Sequence, residues 1–142
     1  MKLISISEIQ KKIIELRGKK IILDEDLARF YNVSTKRLIE QAKRNIDRFP
    51  SDFMFQLTED EYVFLRSQFA TSSWGGERYL PYVFTEQGVA MLSSVLNSER
   101  AIEVNIAIMR AFLLLREILL THKDLAAKIA ALELKYKNHD MR

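Results

Sequence analysis

Cysteine is absent from the 142 residues, which removes disulfides, thiolate nucleophiles and cysteine-ligated metal sites together and points to a reducing compartment. Glycine and proline are scarce, at four and two residues, so neither a glycine-repeat fibre nor a low-complexity linker has the residues it needs. Long apolar runs are also missing. Glu8 and Lys11 interrupt the N-terminal stretch before a signal-peptide core can form, and Arg116 and Glu117 break the most apolar stretch, Ala111 to Leu120. The expectation is a soluble, cytoplasmic protein without a membrane partner. The two histidines, His122 and His139, stand seventeen positions apart without carboxylates at helical spacing, and no phosphate-binding glycine loop or nucleophile elbow occurs. No catalytic role, metal or cofactor is therefore expected.

What is present is enough for a core. Apolar residues make up 48% and charged residues 29%, and 142 residues suit one domain with an appended helix better than two domains. Net charge is only +3, but residues 1 to 48 hold 12 Lys/Arg against 7 Asp/Glu, while residues 49 to 100 hold 3 against 7. A basic end on a nearly neutral chain suits a surface that meets phosphates, and it equally suits an ordinary solvated surface.

Hydrophobic spacing predicts an α+β, mostly helical fold: a helix-turn-helix with a small β-hairpin or short sheet, followed by a long C-terminal helix. Ile9, Ile13, Ile14 and Leu16 share a helical face from Ser7, with Gly18 as its stop. Ile21 to Leu23 suits a short strand, after which Asp24 caps a helix to about Tyr31. Asn32-Val33 turns the chain, and Ser34 caps a second helix from Thr35 to about Asn45. Phe53 to Leu57 reads as a strand, and Thr58 with Glu61 has capping-box spacing for a helix to about Gln68. Tyr79 to Phe84 reads as an extended partner to that strand, placed at a sheet edge by Pro81. Thr85 caps a helix to about Leu96, and Ser98 caps a last one with no Gly or Pro from Glu99 to Met141. The division expected is a body over 1–98, with the helix-turn-helix at about 24–46, and a long helix over 99–142.

The helix-turn-helix segment carries the functional argument. Leu27, Ala28 and Tyr31 give the first helix an inner face, Val33 plugs the corner, and Leu38, Ile39, Ala42 and Ile46 give the second helix its own. Stepping 100° per residue places Arg37, Glu40, Gln41 and Arg44 opposite that inner face, with Lys36, Lys43 and Arg48 at its flanks. Arginine can grip guanine through two major-groove acceptors, glutamine can pair with adenine, and lysine neutralises phosphate. A solvated surface helix would show the same charges.

The run RGKKIILDEDLARFYNVSTKRLIEQAKRNIDRFP, then SQFATSSWGGERYLPYVFTEQGVAML and SSVLNSERAIEVNIAIMRAF, resembles the ORF-six N-terminal domain over about residues 10 to 117. That family is a DNA-binding module of phages and bacterial mobile elements, related to the KilA and Bro N-terminal domains. The resemblance implies a phage-type regulator or antirepressor acting in transcription regulation on double-stranded DNA. It places the family's basic helix on Lys36, Arg37, Lys43, Arg44 and Asn45, with Thr35, Glu40 and Gln41 on the same helix. Its RFP motif falls on Arg48-Phe49-Pro50 and its FTEQG motif on Phe84 to Gly88, where Phe49 and Phe84 are expected in the core. The loop with Trp74, Gly75, Gly76 and Arg78 suits a wing on the DNA backbone or minor groove, or a turn whose Trp packs inward.

Beyond Glu99 polar residues recur every seven positions at Glu103, Arg110, Glu117 and Asp124, and most other faces are apolar. The pattern then narrows to a heptad seam, with Leu115, His122, Ile129 and Tyr136 at one position and Ile118, Leu125 and Leu132 at the other. Lys128 and Glu133 would meet across a parallel pair. The seam therefore fits a parallel coiled coil in a homodimer, with an antiparallel pair or packing on another domain left open. The competing functional reading is a protein-interaction module that binds a repressor through this helix.

Overall fold

The computed structural model describes residues 5–68 and 80–140, the last three of these by backbone only. The fold is α+β and mostly helical, with a four-stranded antiparallel sheet. In chain order the elements are α1 (Ile6–Lys12), β1 (Ile14–Leu16), β2 (Lys19–Leu23), α2 (Asp24–Tyr31), α3 (Thr35–Arg44), β3 (Met54–Gln56), α4 (Glu59–Gln68), β4 (Tyr82–Thr85), α5 (Glu86–Leu96) and α6 (Glu99–Asp140).

The first helix is shorter than its apolar spacing predicts. α1 begins after Ser5, whose hydroxyl accepts from the Glu8 amide, and ends at Lys12. Ile14 to Leu16 instead forms β1, and Arg17-Gly18, both with positive φ (54° and 71°), closes a two-residue hairpin that pairs Leu16 with Lys19. Positive φ at both central residues matches the strand twist of a hairpin, which is why this glycine ends no helix but makes a turn.

The sheet order is β1-β2-β4-β3. β4 is thus an interior strand paired with β2 and β3, not the edge segment that Pro81 suggests. The proline stands one residue before the strand, where its carbonyl accepts from the Leu57 amide and no donor is needed from it. The predicted pairing of β3 with β4 is present.

Strand alternation gives the sheet two buried faces. Ile22, Phe84 and Met54 form one cross-strand row and join the larger core with side chains from α1, α2, α3, α5 and α6. Ile21, Leu23 and Val83 point the other way, where Leu57 and Leu65 cover them. The Thr58–Glu61 capping box forms as predicted: the Glu61 amide donates to Thr58 Oγ1 at 3.2 Å, and the Thr58 amide to Glu61 Oε1 at 2.9 Å.

α6 spans 42 residues, about 63 Å at 1.5 Å per residue. Its first half lies against α5, α1 and α2, with Ala101, Val104, Ile108, Ala111 and Phe112 buried. Its second half is exposed throughout the residues whose side chains are described. Among the described residues no helix is long and apolar enough to cross a membrane.

Candidate nucleic-acid interface

α2 and α3 meet through a three-residue corner. Asn32 takes a left-handed conformation (φ 59°, ψ 45°) that ends α2, and the Val33 amide donates to the Ala28 carbonyl. Asparagine bears this conformation at little cost because its short amide side chain relieves the usual steric penalty. Ser34 then caps α3, accepting from the Arg37 amide at 3.1 Å. Asp24 does not cap α2 as its position suggests. Leu23 is the N-cap, and the buried Asp24 carboxylate accepts from the Glu25 amide at 2.7 Å and the Tyr82 amide at 3.0 Å. It stitches the helix start to the strand that a sequence pattern cannot place beside it.

Behind the corner, Leu27, Ala28, Tyr31, Leu38, Ile39 and Ala42 are all buried. Ile46, expected with them, is 51% exposed, because α3 ends at Arg44 and the next residues turn into a single 3-10 turn over Ile46–Arg48. The unit is fixed to the body from three sides. Tyr31 Oη and Ser93 Oγ share a buried hydrogen bond of 2.5 Å, and burial pushes the phenol up to about 12. The Arg100 guanidinium donates twice to the Phe30 carbonyl, at 2.9 and 3.1 Å. Asp26, itself buried, is ion-paired with Arg29 and with Lys12.

The outer face of α3 is open. Lys36, Arg37, Glu40, Lys43, Arg44 and Arg48 are exposed, while Thr35, Gln41 and Asn45 are half-buried. Among the described residues none of Lys36, Arg37, Lys43, Arg44 and Arg48 is in an ion pair. Lys43 lies over the Tyr82 ring, 5.4 Å from its centroid. Asn45 differs from the others: its side-chain amide donates to the Gln41 carbonyl at 2.9 Å and closes the helix end. Arg78 and the Trp74 loop lie outside the described residues.

The two signature motifs meet in the core. Phe49 and Phe84 pack edge to face, with centroids 6.0 Å apart and planes at 86°. Thr85 caps α5 by accepting from the Gly88 amide, and its own hydroxyl donates to the Asp52 carbonyl. Glu86 pairs with Arg116 of α6. A Cβ on Gly88 would stand 2.0 Å from the Phe53 carbonyl oxygen, so the glycine permits the turn before β3 to touch α5. Apart from the exposed Arg48, Pro50 and Gln87, these motifs build the scaffold. Sequence patterns had no signal for Arg100, Ser93 or Tyr82, whose roles depend on contacts 58 to 70 positions along the chain.

On α6 the heptad seam is half-buried at Leu115 and exposed from Ile118 through His122, Leu125, Ile129, Leu132 and Tyr136. Lys128 pairs with Asp124 of its own helix at 3.2 Å.

Comparison with known proteins gives no match among curated proteins and none among solved structures. A family model, the ORF6N domain, matches residues 11–95, a span that runs from the end of α1 through α5 and contains the whole α2–α3 unit, the sheet and both signature motifs. The chain belongs to the ORF6N domain family.

Proposed function

We propose that this chain is a sequence-specific regulator of phage type that reads duplex DNA with α3, and that it acts as a homodimer joined through α6. The observation that carries the reading is the outer face of α3, where Lys36, Arg37, Lys43 and Arg44, with Arg48 of the turn that follows, have no ion-pair partner among the described residues while the opposite face is buried. Cations held this way, behind a capped three-residue corner, suit a helix laid in the major groove, where N-terminal residues such as Lys36 and Arg37 meet base edges. Gln41 and Glu40 add hydrogen-bonding capacity toward adenine and cytosine. Membership of the ORF6N family supports a regulatory role, either on a promoter directly or as an antirepressor.

Titration of labelled duplexes at several salt concentrations tests the reading. Log affinity should fall with log salt by about 0.9 per phosphate neutralised. On a selected site Arg37→Ala and Arg44→Ala should each cost about 1 to 3 kcal/mol and relax base preference. Parent-like binding by both variants to every duplex would remove α3 as the reader.

A second reading, capture of a repressor or other regulator through α6, is favoured by a different observation. Ile102, Ile106, Leu113 and Leu120 are 46 to 66% exposed on the face of α6 turned away from the body. Pull-down of a purified repressor by a chain that binds no duplex above background would select this reading.

A further inference from the structure

α6 carries one unbroken apolar stripe whose two halves meet different surroundings. Ala101, Val104, Ile108 and Ala111, three and four residues apart, are buried on the body. The same spacing continues through Leu115 and Ile118 to Leu132 and Tyr136, where the side chains are open. A straight helix drifts only about 20° per heptad against this repeat, so the open seam extends the face on which α1, α2 and α5 already pack.

That continuity decides how a second helix can lie on the seam. In a parallel pair equal-numbered residues face one another with axes about 10 Å apart. The other copy's residues 101 to 111 would then need the space that α1 and α5 occupy. The axes would have to part within the single turn between Leu115 and Ile118. Sharp kinks need proline, glycine or a break in the hydrogen-bond ladder, and α6 is continuous from Glu99 to Asp140 with neither residue in it.

Resting on the reading that α6 self-associates, we propose that the seam from Ile118 to Tyr136 takes a second copy of the same helix in antiparallel orientation, centred near Ala127. The seam spacing of four, three, four, three, four is identical in both directions. Ile118 meets Tyr136 of the second copy, His122 meets Leu132 and Leu125 meets Ile129, while the two bodies stand at opposite ends. Each seam residue thus pairs with another, as a two-fold interface requires. The apolar seam residues are 45 to 69% exposed, and covering the seam on both copies removes roughly 1,200 Å² in total, the lower bound for a stable interface. The charge pattern opposes this weakly. Lys128 and Glu133 would attract one another twice in a parallel pair, but each exposed ion pair changes an association constant by about fivefold at most, whereas overlap with α1 forbids association. Lys128 already has Asp124 as its counter-ion, so the two copies of Lys128 near the centre are each neutralised.

The absence of cysteine makes single-cysteine variants of the full chain a clean probe. Sedimentation should give a dimer at tens of micromolar. Under mild oxidation, His122→Cys mixed with Leu132→Cys should give mixed disulfide at least tenfold above either variant alone, because equal-numbered positions lie about 15 Å apart along the axis, beyond disulfide reach. Ile118→Cys mixed with Tyr136→Cys is the second pair, so that one disrupted layer cannot decide the outcome. Efficient self-linking of His122→Cys, or a dimer in which neither mixture links, overturns the antiparallel arrangement alone. A monomer at 100 micromolar overturns self-association itself.

Discussion

Gly88 shows what a short motif can mean when each residue is followed to its contacts. The first residue of the FTEQG run, Phe84, fills the core, the threonine caps a helix, the glutamate reaches Arg116, and the glycine lets the backbone at Phe53, just before β3, come to the helix surface. With any larger residue at 88 the clash is with a backbone carbonyl, and that carbonyl also accepts the Thr85 amide at 3.0 Å. Neither side can yield by a rotamer change. Gly88→Ala is therefore expected to cost about 3 kcal/mol or more, read as a lowered urea midpoint, and a change under 1 kcal/mol would show that the Phe53 backbone and α5 do not touch there. Its DNA affinity, measured where the variant stays folded, should be that of the parent.

Elements are joined by a few directional contacts, and the hairpin-to-α4 lock is one that lies at the surface. Arg17, at the tip of the β1–β2 hairpin, makes a two-point pair with Glu61 at 2.6 and 2.7 Å while its guanidinium carbon lies 4.3 Å from the centroid of Phe55. The pair, helped by the Thr58 amide, holds the Glu61 carboxyl down at about 2. A carboxylate depressed in the folded state stabilises above its unfolded value of about 4.5 and loses that contribution as pH falls through about 2. The pair lies at the surface, so screening limits it to about 1 kcal/mol. The stability gap between the parent chain and Glu61→Gln should thus be constant above pH 5 and close between pH 4 and 2. A gap unchanged down to pH 2 would mean that the carboxylate charge contributes nothing.

At the scale of the whole molecule, α6 fixes how far apart two reading helices can stand. Arg100, in its first turn, is bonded to the end of α2, so α3 begins beside the N-terminal end of α6 and the open seam leaves the body beyond it. In an antiparallel dimer centred near Ala127 the two Leu115 positions are about 36 Å apart along the axis, and the two Arg100 positions about 80 Å. Half-sites selected from random duplexes should then lie more than two helical turns apart, since about 80 Å exceeds the roughly 70 Å of two turns, and a selected site with half-sites one turn apart would contradict that arrangement.

The sequence by itself determined several elements whose signal is local. The Asn32-Val33-Ser34 corner, the Thr58–Glu61 box, the caps at Thr85 and Ser98 and the unbroken course of α6 each depend on residues within one or two turns of one another, and each appears in the structure as spacing predicts. The cationic face of α3 was legible in the same way, since a 100° step needs no tertiary information. Tertiary structure alone decided the rest. Ile14 to Leu16 suits a helix or a strand equally well, and pairing with β2 selected the strand. Pro81 forbids a hydrogen bond only at its own position, so β4 could become an interior strand one residue later. Asp24, a residue that favours helix N-caps, was assigned to a strand amide by a neighbour that only folding supplies. Local patterns specify which face of an element is apolar. Which neighbour covers that face is a matter of long-range packing.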